Sequence, residues 1–339
     1  MYIHLLGSDP PLDTDSFIHP SADPLLIARG RRLLDWLYEL PDHATNRFIT
    51  GQYRINQIRT IQEETGIWVG MFQRRILNAE DGPYLSWGED PKNYVDYYNA
   101  GGLVHENPSF GNPATKSKSR DRAFTAANMT ALMTPGTTVY NNFMDALNPY
   151  CDKLRVVANN NVPILFRPFH EMNGAIYWWN TPGASAFKDL WAWFFDEMTK
   201  RRGFHNLLWC YAPTRYAGNF LTWYPNPNTV DIAGMDFYWD VATSGPYTSS
   251  LFAPLNSYLA STGKPFMMLE FGGKQAPPSA GKANYTTWLP AIKNWCPRCI
   301  GACNWSTEWS LMGAYATGVS AYLTDSWACN RSDIPNFGT

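Results

Sequence analysis

Two glutamates follow short apolar runs that are typical of buried strands. Glu171 comes shortly after the run 162–166, and Glu270 comes directly after the run 265–269. A carboxylate at such a position must be hydrogen-bonded, paired with a cation or used in a reaction, because burying it alone costs several kcal/mol. A structural Arg or Lys partner would explain one isolated glutamate. Two of them in aromatic surroundings favour glycoside hydrolysis, in which one carboxyl protonates the leaving oxygen and the other attacks or stabilises the sugar cation.

Other chemistries find less support in the sequence. The segment His170-Glu-Met-Asn-Gly174 lacks the second histidine of an HExxH zinc helix, and the six histidines show no metal-ligand spacing. A GxSxG nucleophile elbow is absent, as are the GxGxxG and GxxxxGK[ST] patterns of nucleotide-binding proteins. We therefore expect a site that uses neither a metal nor an organic cofactor.

Composition narrows the classes of partner. The chain has 339 residues and a net charge of −2, which argues against nucleic acid because phosphate binding depends on clustered Lys and Arg. The one basic run, 116–122, contains an acid and is interpreted as a solvated loop. No apolar stretch reaches the ~18 residues of a membrane span. The 15 Trp, 19 Tyr and 18 Phe are compatible with a carbohydrate ligand, although most of these rings are expected in the core.

The six cysteines leave two interpretations open. Four of them, Cys296, Cys299, Cys303 and Cys329, lie near the end of the chain, as local disulfides of an exported protein would. Cys296 and Cys299 also have the spacing of a redox pair or half a zinc site, but neither the surrounding pattern nor a second ligand pair supports this. We expect one or two local disulfides, or inert thiols.

Apolar runs and amphipathic segments alternate along the chain, as expected of strands that are buried on both faces and connected by helices. One predicted helix carries Phe187, Trp191, Phe194 and Met198 on one face, and another ends at residues 159–161. The eight predicted strand runs are 48–51, 66–71, 101–104, 162–166, 206–211, 230–235, 265–269 and 300–303.

Eight buried strands alternating with helices predict a single (β/α)8 TIM barrel rather than an open doubly wound sheet. No linker or repeat divides the sequence, so we expect one catalytic domain over residues 1–339. In such a barrel the reactive groups lie at the C-terminal ends of the strands, which places the catalytic cleft there.

The segment Arg167-Pro-Phe-His-Glu-Met-Asn-Gly174, followed by Tyr177-Trp-Trp179, resembles the acid/base segment of glycoside hydrolase family 26, which consists largely of endo-β-1,4-mannanases. The resemblance extends over most of the chain in the same order. It includes Gly51-Gln52, Asn99-Ala-Gly-Gly102, Asp231-Ile-Ala-Gly-Met-Asp-Phe-Tyr238 and Leu269-Glu-Phe-Gly272.

The resemblance implies a (β/α)8 fold, a retaining mechanism and specific roles for residues. Glu171 would be the acid/base and Glu270 the nucleophile, with His170 and Tyr238 orienting Glu270. Trp305 would be the sugar platform at the scissile subsite. The expected supporting or substrate-binding residues also include Arg167, Trp178 and Asp236. Glu171, close to the charge of Glu270 and to apolar rings, should have the raised pKa.

The chain departs from the family pattern at Ile176, where an aromatic is frequent, and at 105–109, where the family usually has a Trp-His pair. These residues are expected near the rim of the cleft, with Pro108, Ser109 and Ile176 leaving a more open edge. The expected substrate is β-1,4-mannan or glucomannan, cut internally. A related glycanase acting on β-1,3-xylan or mixed-linkage β-glucan is the first alternative, and a non-catalytic glycan-binding barrel is the second.

The start of the sequence lacks the basic region and long apolar region of a signal peptide, which indicates either a cytosolic protein or a signal removed before this sequence begins. We expect a secreted, extracellular monomer that acts on β-mannan or manno-oligosaccharides and has neither nucleic acid nor membrane as a partner.

Overall fold

A closed parallel barrel forms the centre of the structure, a computed structural model that describes residues 17–240, 246–274 and 283–338. The strands are β1 (Phe48–Tyr53), β2 (Met71–Arg74), β3 (Leu103–Glu106), β4 (Ile164–Phe166), β5 (Leu207–Tyr211), β6 (Ile232–Asp240), β7 (Phe266–Lys274), β8 (Ala283–Asn284), β9 (Cys299–Asn304), β10 (Ala316–Thr317) and β11 (Ala328–Cys329). Strands β1 to β7 pair in sequence order, β7 pairs with β9, and β9 pairs with β1 to close the ring of eight. The predicted (β/α)8 barrel is confirmed.

Helices surround the barrel and connect its strands. They are α1 (Ala28–Glu39), α2 (Ile55–Thr65), α3 (Pro91–Asn99), α4 (Ala126–Leu132), α5 (Thr138–Ala158), α6 (Ala184–Asp196), α7 (Ser249–Thr262), α8 (Tyr285–Trp295) and α9 (Val319–Leu323). A π-helical turn, Glu197–Arg201, continues α6. The threonines before α4, α5 and α7 cap these helices by accepting backbone N–H bonds. The two helices predicted from apolar spacing are confirmed as α5 and α6.

The predicted strand runs locate all eight barrel strands but misplace several boundaries. The run 66–71 overlaps β2 only at Met71, and β3 begins at Leu103 and continues through polar residues to Glu106. Strands β6 and β7 extend well beyond their runs, so that Asp236, Tyr238 and Glu270 lie inside strands. The predicted runs contain mainly apolar residues, whereas the barrel interior near the C-terminal ends of the strands is built from polar side chains. The runs therefore end before the strands do.

The interior of the barrel is divided into two layers. Successive residues of a strand face opposite sides, and Leu165, Leu208, Met267 and Ile300 belong to an aliphatic cluster that also includes leucines of α1. The segment preceding α1 hydrogen-bonds to residues just before β5 and β6, with Ile27 N donating to His205 O at 2.8 Å. Helix α1 therefore covers the N-terminal end of the barrel. The polar residues lie at the opposite end, where the strands have their C-termini.

All six cysteines are buried free thiols, which agrees with the inert alternative and not with local disulfides. Burial raises the pKa of the Cys303 and Cys210 thiols well above the ordinary value. Within the described ranges, no helix combines the length and apolar character that crossing a membrane requires. The first ten residues, which bear on export, and the predicted domain ends at 1 and 339 lie outside the described residues.

Candidate active site

A cleft of about 700 Å³ opens at the C-terminal ends of the barrel strands, and both predicted catalytic carboxyls line it. Its other walls combine aromatic rings with charged groups from several strands. The lining residues that matter below are Tyr53, Arg75, Glu80, Arg120, Tyr177, Tyr238, Trp305 and Trp309. The cleft lies where the barrel fold predicts the reactive groups.

Glu270 is held inside β7 by donors from β6 and from the ends of β3 and β4, across the barrel opening. The Tyr238 hydroxyl donates to Oε2 at 2.8 Å, and Asn107 Nδ2 donates to Oε1 at 3.3 Å. Arg167 forms an ion pair with Oε1. Donors and a cation favour the charged form of a carboxyl. The surroundings of Glu270 therefore stabilise an ionised carboxylate.

Arg167 connects Glu270 to Asp236, which lies opposite it in the pairing of β6 with β7. The guanidinium, completely buried, forms ion pairs with both carboxylates. Burial raises the pKa of Asp236, and Arg167 opposes that rise. Removing this cation would take the ion-pair partner of Asp236 away and leave Glu270 with only the longer 3.6 Å pair to Arg75, which is far more costly than losing an exposed pair.

Glu171 lies on a loop beyond β4 in an unusual backbone conformation. Its φ is 52°, and Phe169 two residues earlier also has a φ of 52°. Bulky residues adopt the left-handed region only when surrounding structure holds them there. The Glu171 amide donates to Ala212 O at 2.8 Å, and Asn173 receives the Thr214 amide at 2.8 Å. Contacts with the segment after β5 thus fix the loop that carries Glu171.

The surroundings of Glu171 favour its protonated form. Burial, followed by the negative charge of Glu270, raises the pKa of Glu171 to about 7. Arg167 and a hydrogen bond from Thr214 act in the opposite direction. The cleft therefore contains one carboxyl that can donate a proton near neutral pH and a second that is paired with a buried arginine.

Aromatic packing surrounds this pair. Trp305 stacks on Tyr53, with ring centroids 4.0 Å apart, and the Arg75 guanidinium lies 4.9 Å from the centre of the Trp305 ring. Gly272, two residues after Glu270, leaves room for Trp309 and Tyr238, since a Cβ there would come within 2.4 Å of the indole and 2.6 Å of the phenol.

The family model of glycosyl hydrolase family 26 matches residues 27–333 of the chain. The chain belongs to this family. A mannan endo-1,4-beta-mannosidase of Bacillus subtilis is 28% identical over 331 residues, covering 90% of this chain and 86% of the relative. Mannan endo-1,4-beta-mannosidase A and B of Caldalkalibacillus mannanilyticus is 29% identical over 327 residues, or 90% of this chain, but the match spans only 61% of that relative. The solved structure of a Bacillus subtilis mannanase superposes with a TM-score of 0.81 at 25% identity, covering 94% of this chain and 97% of that one.

The structure of this family 26 glycoside hydrolase brings most of the predicted site residues together. Arg167, Asp236 and Tyr238 form the immediate surroundings of Glu270. His170 is adjacent, but its Nε2 lies 2.9 Å from the Tyr177 hydroxyl and 3.4 Å from Arg75 Nη2. Burial and nearby arginines lower the pKa of His170, so the ring is neutral. The bond from His170 to Tyr177 takes the place of the expected contact with Glu270.

Trp178 does not line the cleft. Its side chain is completely buried, and its indole N–H donates to Phe110 O at 2.9 Å. The ring packs on Phe124 and Phe169, beneath the loop that carries Glu171. The short 3₁₀ turn Trp178–Asn180 directs this indole into the core, so of the two expected roles, substrate contact or support, the buried position fits only support.

The expectation of an open rim at the departures from the family pattern is only partly met. Pro108 and Ser109 are buried, and the Ser109 hydroxyl lies 2.9 Å from that of Ser119. Neither residue lines the cleft. Ile176 is half-buried and packs against the core. Pro108 and Ser109 therefore cannot widen the cleft edge, because both are buried away from it.

Several residues of the cleft were not identified from the sequence. Arg75 directly follows β2, and Glu80, from the next loop, forms an ion pair with it. Arg120, from the basic run interpreted as a solvated loop, also reaches Glu80, at 2.7 Å. The rule that reactive groups follow barrel strands could have identified Arg75 and Asn107. Tyr53, the last residue of β1, falls under the same rule, whereas Trp309 had no comparable signal among so many aromatic residues.

One group among the described residues has metal-ligand geometry. Ligand atoms of His170, Asp236 and Glu270 all lie within 4.8 Å of one another. Arg167 already pairs with both carboxylates, and His170 is hydrogen-bonded to Tyr177. The ligand atoms of this group are thus already bonded to the Arg167 guanidinium and the Tyr177 phenol. This arrangement suits acid–base and nucleophilic chemistry.

Proposed function

We propose that this glycoside hydrolase is a retaining endo-β-1,4-mannanase, with Glu171 as acid/base and Glu270 as nucleophile. The observation that carries the proposal is the contrast between the two carboxyls of one cleft. The pKa of Glu171 is raised to about 7, whereas Glu270 accepts bonds from Arg167, Tyr238 and Asn107. Retaining glycosidases need these two protonation states, with carboxyls about 5–5.5 Å apart.

In the first step, Glu171 transfers its proton to the glycosidic oxygen as the bond from that oxygen to the anomeric carbon breaks. A Glu270 oxygen forms a bond to the same carbon and gives a glycosyl-enzyme ester. Once Glu270 is esterified, its negative charge no longer raises the pKa of Glu171. Glu171 is then the base that removes a proton from water, whose oxygen attacks the anomeric carbon and releases Glu270.

The substrate assignment rests on the relatives and on the lining of the cleft. The curated relatives described above are named as mannan endo-1,4-beta-mannosidases. Tyr53, Trp305 and Trp309 supply apolar faces beside charged donors, a combination that suits the two kinds of surface on a pyranose ring. A polymer of β-1,4-linked mannose, cut at internal bonds, is the substrate that these features favour.

The test is incubation of the protein with mannan, β-1,3-xylan and mixed-linkage β-glucan, with early products sized by chromatography. We expect a mixture of manno-oligosaccharides from mannan at low conversion. Preferential cleavage of xylan or glucan would overturn the specificity, and release of mannobiose alone from the outset would overturn the endo action. Binding of mannan without hydrolysis would favour the glycan-binding barrel instead.

We further propose that residues 1–339 form one catalytic domain of a secreted monomer that needs no cofactor. Activity should persist after dialysis against EDTA, because Arg167 provides the cation beside Glu270. Light scattering should give the mass of one chain, 38.5 kDa. Loss of activity that added metal restores would contradict the cofactor proposal.

A further inference from the structure

A buried carboxylate, Glu80, lies on the cleft wall and has no part in the mechanism described so far. It is 8% exposed and belongs to the loop between β2 and α3. Its Oε2 forms an ion pair with Arg75, and its Oε1 accepts from Arg120 Nη2 and from the Tyr177 hydroxyl, each at 2.7 Å. Three segments of the C-terminal face, after β2, β3 and β4, therefore meet at this carboxylate.

Arg75 links Glu80 to the nucleophile. Its Nη2 lies 3.6 Å from Glu270 Oε1, and its side chain is only 1% exposed. The other nitrogen of the same guanidinium pairs with Glu80 and lies 3.3 Å from Asn78 Oδ1. Glu80 thus holds a buried cation beside Glu270, close enough to influence its charge, while Arg167 makes the direct ion pair.

A second connection leads from Glu80 to His170. When the Tyr177 hydroxyl donates its proton to Glu80, its oxygen can accept only from the N–H of His170 Nε2, 2.9 Å away. This direction of donation favours the tautomer of the neutral imidazole that carries its proton on Nε2, against the longer 3.4 Å contact of Nε2 with Arg75 Nη2, which can only donate. The acceptor at the end of the chain therefore biases the tautomer of the residue next to Glu171.

We propose that Glu80 is a positioning residue for the reaction: it pairs with Arg75 and Arg120 at the cleft and orients the Tyr177–His170 pair beside the acid/base. This inference rests on the proposed function of Glu171 and Glu270. The charged and titratable groups facing this region are Arg75, Arg120, Asp81, Tyr53, His170, Tyr177, Arg167, Glu171, Asp236, Tyr238, Glu270, His105 and Arg54. The single negative charge of Glu80 is shared between two of the cations in this group.

The test is the pH profile of kcat/KM for Glu80→Gln. Glutamine keeps an acceptor for Tyr177 but leaves Arg75 and Arg120 with one anion fewer. Arg75 favours the ionised form of Glu171, so the alkaline limb should move to lower pH by about half a unit. We expect kcat/KM on mannan to fall about tenfold, because Arg75 would turn toward Glu270.

Two further variants separate this role from a structural one. Arg120→Gln removes one cation and leaves Glu80 paired with Arg75 alone, so the alkaline limb should move to higher pH, and the double variant should return it toward the wild-type position. Asp81→Asn is the matched control, since Asp81 is 69% exposed and meets Arg120 only at 3.6 Å, so the limb should stay in place. Melting curves record the stability of each variant.

An unchanged limb in Glu80→Gln, with activity lost in proportion to stability, would reduce Glu80 to a structural residue and overturn the inference. If Glu80→Gln does not fold, an unchanged or downward-shifted limb in Arg120→Gln overturns it as well. A wild-type protein that hydrolyses none of the glycans would instead contradict the proposed function, so the two failures are distinguishable.

Discussion

Glu171 and Glu270 face the same cleft from segments that are built in different ways. Glu270 lies within the nine-residue strand β7, paired on both sides by neighbouring strands. Glu171 lies on a loop after the three-residue strand β4, in a left-handed backbone conformation. One residue is held by the regular sheet, and the other by hydrogen bonds to the segment after β5.

The hydrogen-bonding partners of the two carboxyls differ as much as their backbones. Glu270 accepts hydrogen bonds from a buried arginine, a phenol and an amide. Glu171 accepts a hydrogen bond from the Thr214 hydroxyl and has the negative charge of Glu270 nearby. Identical side chains thus acquire different protonation states from the number and charge of their neighbours. Four predictions test this comparison, in order of decreasing effect.

Replacing Glu270 by Ala should abolish turnover, with kcat on mannan falling by about four orders of magnitude or more, because no group remains to form the covalent intermediate. Arg167 keeps Asp236 as its partner, so the fold and oligosaccharide binding should survive. Circular dichroism and titration calorimetry provide the controls. Retention of more than a few per cent of activity would remove Glu270 from the role of nucleophile.

Replacing Glu171 by Ala should slow mannan hydrolysis by about two to four orders of magnitude but slow activated aryl β-mannosides much less. A good leaving group needs no proton, so the difference isolates the acid role. Azide should restore turnover and yield a β-glycosyl azide, because a small anion can occupy the vacated space. An α-azide, or equal losses for both leaving groups, would contradict the retaining assignment.

Tyr238→Phe should lower kcat about tenfold while leaving KM nearly unchanged, since it removes the 2.8 Å bond to Glu270 and keeps the ring. Tyr216→Phe is the matched control. Its hydroxyl bonds to the Tyr238 carbonyl at 2.9 Å, so its removal leaves the Tyr238 hydroxyl and the bond from that hydroxyl to Glu270 in place. Equal effects of the two substitutions would indicate a general loss of order at β6 rather than loss of a donor to Glu270.

The smallest expected effect concerns pH. Glu171 must be protonated to act as the acid, and its pKa is raised to about 7, so kcat/KM should decline as the pH rises through this value. The Thr214 hydrogen bond favours the ionised form. Thr214→Val should therefore move the alkaline limb to higher pH, by less than about one unit. Thr214→Ser keeps the hydroxyl and should leave the limb in place, whereas a downward shift in the valine variant would show that the sign is wrong.

Sequence reasoning was most successful where the pattern depends on position along a strand. The apolar runs located all eight barrel strands, and the rule on strand ends placed Glu171 and Glu270 at one opening. It was least successful in the loops. Trp178 and Trp179 are adjacent in sequence and similar in type, and nothing in that pattern predicts that both are completely buried.

The charged cluster around Glu80 illustrates the same limit. Arg75, Glu80 and Arg120 come from two different connections, and neither connection has a periodic pattern that predicts its path. The ion pair between Arg120 and Glu80 forms only because β2 and β3 are neighbours in the closed sheet, which brings their loops together. A long-range contact of this kind leaves no trace in local residue spacing.

The sequence by itself determined the barrel and placed the two carboxyls at strand ends, because strand periodicity and the residues that follow a strand are local properties of the chain. The family followed from the resemblance of its motifs. Only the tertiary structure decided that Glu270 pairs with Arg167 and that Glu171 lies close to the negative charge of Glu270. It also decided that Trp178 lies in the core beneath the cleft and that Glu80 pairs with two arginines. These outcomes depend on burial and on distances between side chains from different strands, and both arise only when the barrel closes.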